Sequence, residues 1–212
     1  MRRLPESSLR IAALVDVIGV PLLILTYIWK LQFSAKNSWI IFVIWVGVSF
    51  FLHCDTAKTL GWRADNLGAA TREAGIAYGV MAGLLLVFGF ARGAPLSVPH
   101  DLLSIHRLWN YFAFCLLQQV ALNSLLNNRL MWLISSRWAS SALAGIIFAA
   151  CHWPNPVLLP LTLIGGTVMA WLFARNRNII PLAIGQAILG SIAWWAFPLA
   201  WHHHLRVGPG YY

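Results

Sequence analysis

The sequence predicts an all-α integral membrane protein, a polytopic bundle of about seven transmembrane helices, six to eight at the limits. Three observations carry that prediction. Of 212 residues, 59% are hydrophobic and only 10% charged, where soluble domains carry roughly 25% charged residues. Mean hydropathy is +0.70. The apolar residues also fall in stretches whose lengths approach the ~20 helical residues that a bilayer core requires, with ~17 tolerated.

The first stretch, 11–31, runs too long and lacks the small-residue cleavage site of a signal peptide, so it reads as a retained span. Asp16 lies about five residues inside it, roughly 7.5 Å at helical rise, and intramembrane acids invite a functional reading. Its plainer role is to reach the interface or to pair with Arg10. The second stretch, 39–53, is short. The interruption 54–73, CDTAKTLGWRADNLGAATRE, mixes charge with Leu60, Trp62 and Leu67, which suits an interfacial helix or ordered loop. A third span, 74–91, is followed by a second interruption at 92–107 carrying Pro95, Pro99, His100 and Asp101. Residues 1–107 thus form a scaffold of three spans, 108–200 a core of four, and 201–212 a short tail.

The core holds the polar residues. On a helix over 108–126, Cys115, Gln119, Asn123 and Asn127 recur every four positions and form one stripe, with Gln118 about 100° round from Gln119. Their amides cannot be satisfied by hydrocarbon, so the stripe faces protein or trapped water. Interhelical hydrogen bonding alone would account for it. The fifth stretch, 138–152, ends in FAACHWPNP, with Phe148 and His152 one turn apart and Pro154 stopping the helix. His152 and Asn155 therefore sit at the mouth of a helix break, where a polar pocket is expected, although a histidine at a span end is often merely interfacial. The sixth stretch is 156–174. The seventh, 179–200, carries Gln186 one turn before Gly190, and Ser191 beside it.

Fifteen Lys and Arg against six Asp and Glu give a formal net charge of +9. The basic residues lie between apolar runs, so the expected partners are anionic membrane lipids and not nucleic acid. Alternating the loops places ten basic residues (Arg2, Arg3, Arg10, Lys58, Arg63, Arg72, Arg129, Arg137, Arg175, Arg177) on one side and five (Lys30, Lys36, Arg92, Arg107, Arg206) on the other. That bias predicts a cytoplasmic N-terminus in a plasma (inner) membrane. Cys54, Cys115 and Cys151 show no motif spacing and imply no disulfide framework. His202-His203-His204 reads as an interfacial cap, and the tryptophans near span ends as aromatic belts.

The order and spacing of Gln118-Gln119-Val-Ala-Leu-Asn123, Phe148-Ala-Ala-Cys-His152 and Gln186-Ala-Ile-Leu-Gly190 resemble the three motifs of the CPBP family. That family contains the CAAX-prenyl and bacteriocin-processing intramembrane endopeptidases, with motifs EExxxR, FxxxH and HxxxN. The likeness covers about residues 108–198 and, more weakly, the LGWRADNLG stretch. Carried over by position, the glutamate pair falls on Gln118 and Gln119, the arginine on Asn123, the first histidine on His152, the later histidine on Gln186 and the asparagine on Gly190. Only Phe148 and His152 are unchanged.

The resemblance implies water activation for peptide hydrolysis, but a carboxamide cannot take the proton that a carboxylate takes. No Asp or Glu follows Asp101. The expected function is a degenerate, non-proteolytic site kept as a pocket for a lipid, an isoprenoid, or a transmembrane or prenylated protein partner. An active endopeptidase using His152, and a structural subunit of a larger membrane complex, are the alternatives. No cofactor is expected. Zinc would enter only with the protease reading, and His152 is the one inherited ligand.

Overall fold

A computed structural model describes residues 5–35, 37–95 and 105–212. Arg2, Arg3, Lys36, Pro99, His100 and Asp101 lie outside the described residues. Every regular element among those described is helical. In chain order these are α1 (Glu6–Ser34), α2 (Trp39–Leu52), a single-turn α3 (Ala57–Leu60), α4 (Leu67–Ala91), α5 (residues 105–133), α6 (Arg137–Ala150), α7 (Leu158–Asn176), α8 (Ile180–Ala196) and the short α9 (Leu199–His202). The seven apolar stretches correspond in order to α1, α2, α4, α5, α6, α7 and α8.

Helices α1, α4 and α7, of 29, 25 and 19 residues, are long and apolar enough to cross a membrane, while α2, α6 and α8 are apolar but shorter. The molecule is an integral membrane helical bundle, and its surface is built accordingly. On α1, Ile11, Leu14, Ile18 and Leu22 are exposed at helical spacing, whereas Ala13, Asp16 and Val20 are buried. The apolar face therefore points outward and the acid inward, the reverse of a soluble amphipathic helix.

Local chemistry fixes the boundaries. Thr56 and Thr59 form a reciprocal capping box at the start of α3. α4 begins at Leu67, earlier than the apolar run at 74, so the last seven residues of the 54–73 interruption are helical. Ser136 Oγ accepts from Ala139 N at 3.2 Å to start α6, and Asn155 Oδ1 accepts from Val157 N and Leu158 N, both at 3.0 Å, to start α7. α6 and α7 form a close hairpin in which Gly145 is the contact point. A Cβ there would lie 2.1 Å from Thr167 Oγ1, so only glycine lets the two backbones approach. Tyr78, Leu122, Leu126, Phe148, Met169, Phe173 and Leu182 fill the core between α4, α5, α6, α7 and α8.

Candidate functional site

The polar stripe lies on α5, which is not a uniform α-helix. Ile105–Gln119 is α-helical, Val120–Asn127 winds more widely with i→i+5 bonding, and Asn128–Leu133 returns to α. In an α-helix, residues four apart drift about 40° per step. The wider winding reverses that drift and keeps Gln119, Asn123 and Asn127 on one buried face, each 0% exposed. Such local widenings concentrate at functional sites.

Five carboxamides on two helices then join head to tail. Asn127 Nδ2 donates to Asn123 Oδ1 at 3.2 Å, Asn123 Nδ2 to Gln119 Oε1 at 2.6 Å, Gln119 Nε2 to Gln186 Oε1 at 2.6 Å, and Gln186 Nε2 to Gln118 Oε1 at 2.5 Å. Side contacts hold the chain to α7, since Asn127 Nδ2 also donates to Ala170 O at 2.8 Å and Gln119 Nε2 to Met169 Sδ at 2.8 Å. Each link uses one donor and one acceptor, which carboxamides supply and carboxylates do not. The two ends of the chain are open. The buried Oδ1 of Asn127 has no hydrogen-bond partner. At the other end Gln118, half-buried, donates no hydrogen bond among the described residues and is flanked on α5 by exposed Phe114 and Leu117.

The structure thus brings Gln118, Gln119, Asn123 and Gln186 into one hydrogen-bonded chain. His152 is not bonded to it. Its Nδ1 lies 2.7 Å from Phe148 O, and its ring meets that of Phe148 edge-on at 4.6 Å. His152 is 8% exposed and stands in the turn between α6 and α7. Asn155, three residues on, donates to His202 O and Arg206 O at 2.8 and 3.0 Å and so pins the C-terminal tail to this turn. Gly190 is closed by Tyr111, for a Cβ at Gly190 would lie 1.8 Å from the Tyr111 hydroxyl. Of the histidine run, His202 is buried and His203 stacks on Tyr211 at 4.3 Å. Among the described residues, no three His, Cys, Asp or Glu side chains are grouped to hold a metal ion.

A second polar centre escaped the sequence reading. Asp16 neither reaches the interface nor pairs with Arg10. It bonds Arg129 Nε at 3.2 Å, Trp45 Nε1 at 2.9 Å and Ser49 Oγ at 2.5 Å. Arg129 had been assigned to a loop, yet it lies in the last segment of α5 with its side chain 4% exposed. Its Nη2 also pairs with Asp55 at 2.6 Å. The reason for the correction is energetic, since a carboxylate at this depth needs an opposite charge and hydrogen bonds to replace water. Asp16's demand for a cation was the available signal. No local pattern pointed to Arg129, 113 positions away.

The comparisons with known proteins follow this geometry. No curated protein and no solved structure matches the chain. The sequence model of one family does match, over residues 39–192, a range that takes in the amide chain, His152 and all but the end of α8, and reaches back to α2. The chain belongs to that family, the type II CAAX prenyl endopeptidase Rce1-like proteins.

Proposed function

We propose that this protein is a non-hydrolytic member of the Rce1-like family whose amide chain forms a pocket for a lipid-embedded ligand, a lipid, an isoprenoid or a prenylated or transmembrane partner. One observation carries the reading. Gln118 keeps an unused N–H donor on a half-buried side chain beside exposed Phe114 and Leu117. An open amide toward hydrocarbon is costly, so a hydrogen-bond acceptor arriving through the membrane is the partner it calls for. The carbonyl of a prenylated peptide or a lipid ester has that chemistry.

Two further features support the absence of hydrolysis. The positions of the glutamate pair carry amides bridged by Gln186, which accepts from Gln119 and donates to Gln118, and neither amide can deprotonate water. His152 is turned to the Phe148 carbonyl. The chain requires no zinc in this reading, because one histidine and neutral amides are a poor ligand set for that ion. The expected outcome of elemental analysis of the purified protein is far less than one zinc per chain. About one zinc per chain, lost in His152→Ala, would restore the metalloprotease reading. The positive-inside bias, nine basic residues against five once the buried Arg129 is set aside, supports insertion in a plasma membrane with the N-terminus cytoplasmic.

The binding test uses the full chain in lipid nanodiscs and a fluorescent farnesylated cysteine peptide. Wild type binds the peptide, and Gln118→Leu weakens binding about fivefold, as the loss of one hydrogen bond of ~1 kcal/mol requires. Equal binding by wild type and Gln118→Leu, or none by wild type, contradicts the proposal.

A further inference from the structure

We infer that a cleft at the end of the bundle opposite the C-terminal tail, between the N-terminal turns of α4 and α6 and the last turns of α7, is a binding site for the phosphate-bearing headgroup of an anionic phospholipid. The cleft measures about 360 Å³ and is lined by Glu73, Arg137, Trp171, Arg175 and Asn176. That volume lies within the roughly 300–1,000 Å³ typical of small-ligand sites.

Charge selects the ligand. Glu73 is the one carboxylate in the lining and is fully engaged. Arg175 grips it through Nε and Nη2 at 3.0 and 3.2 Å, and Asn176 Nδ2 adds a bond at 2.9 Å. Arg137 is different. It is exposed, its guanidinium makes no hydrogen bond to any described residue, and it stands close enough to Arg177 for the two cations to repel. Arg72 adds a further positive charge near Glu73. The cleft therefore retains a surplus of positive charge with a free planar fork, the geometry that binds phosphate.

Position selects a lipid over a soluble anion. Trp171 in the cleft wall stacks on Trp138 at 4.3 Å and 17°, and Trp138 is 61% exposed. Exposed tryptophan at the end of a span marks the headgroup level. Two turns along α7 from Trp171, on the same face, Ile164 is exposed and offers an apolar track for an acyl chain. A phosphate held at Arg137 would leave its chains beside that track. This site is separate from the amide chain, so its failure and that of the proposed ligand pocket are independent.

The test reads lipids retained by the full-length protein in native mass spectrometry after exchange into mixed phosphatidylglycerol and phosphatidylcholine. Wild type retains phosphatidylglycerol in preference. Arg137→Gln lowers that retention about fivefold, the ~1 kcal/mol that one basic residue contributes at an anionic surface, and Arg137→Glu lowers it further. Arg206→Gln, at the tail end of the bundle, leaves it unchanged. Excess inorganic phosphate does not displace the lipid. Equal retention by wild type and both Arg137 variants overturns the site. Displacement by inorganic phosphate, or no preference over phosphatidylcholine, overturns the lipid assignment.

Discussion

Gln119 donates to Gln186 at 2.6 Å, and through this bond the buried amides of α5 reach α8. Gln119 is also the acceptor for Asn123, so it is the junction of the whole chain. Its nitrogen donates to Gln186 and Met169 and its oxygen accepts from Asn123, in a position with no exposure. A glutamate there would accept from Asn123 but could not, while ionised, donate to Gln186 or Met169.

Changing Gln119→Leu strands the Asn123 donor and the Gln186 acceptor at once. The expected cost is about 1–3 kcal/mol per stranded group. Thermal unfolding in detergent reads it as a lowered midpoint, with Leu117→Ala on the exposed face of α5 as the reference change. An unchanged midpoint in Gln119→Leu would mean that the amides do not act as a network.

Arg129 joins Asp16 on α1, Ser49 on α2 and Asp55 before α3 to the core helix α5. Removing one member of a buried pair leaves an uncompensated charge, at about 3–5 kcal/mol. Arg129→Met is therefore severely destabilising. Asp16→Asn is milder, because Asp55 still neutralises the guanidinium. Protease sensitivity of 54–66 in membranes, measured for the two variants, checks that order. Equal sensitivity would contradict it.

Acid loosens the tail. His202 is buried in the tail, and burial, followed by the nearby His204, pushes its pKa below the usual 6.5 of histidine. Its Nδ1 accepts from Leu205 N at 3.2 Å, which requires the unprotonated nitrogen. The folded state thus binds fewer protons than the unfolded state. The stabilisation is fully present above the ordinary histidine value and is lost as pH falls below 6.5 toward the lowered folded value. As pH falls from 7.5 to 5.5, hydrogen exchange across 199–212 slows less than the fall in the intrinsic rate requires, an excess of exchange that His202→Gln removes. An excess that persists in His202→Gln would point to another group.

Much of the bundle was legible because apolar runs and helices coincide, from α1 to α8. The stripe Cys115, Gln119, Asn123, Asn127 was legible for the same reason, since period-four spacing survives even where α5 winds more widely. What the sequence hid were relations between distant residues. Nothing near Arg129 distinguishes a loop arginine from one turned inward to Asp16. Nothing around Gly190 announces that Tyr111 occupies the space a side chain there would need. The onset of α4 was missed because Leu67–Glu73 ends in Thr71, Arg72 and Glu73, which break the apolar run although the backbone there is helical, and hydropathy is blind to such a turn.

The central claim is that hydrolysis has been abandoned, and the most direct measurement is cleavage of a farnesylated CAAX peptide by purified protein in liposomes. Wild type releases no more tripeptide than His152→Ala. The double change Gln118→Glu with Gln119→Glu also fails to restore activity, because by the motif spacing proposed above Asn123 and Gln186 still stand at the places of the arginine and second histidine, and Tyr111 fills the space at Gly190. Robust release by the unmodified chain, abolished in His152→Ala, would contradict the account and establish a working endopeptidase built without the glutamate pair.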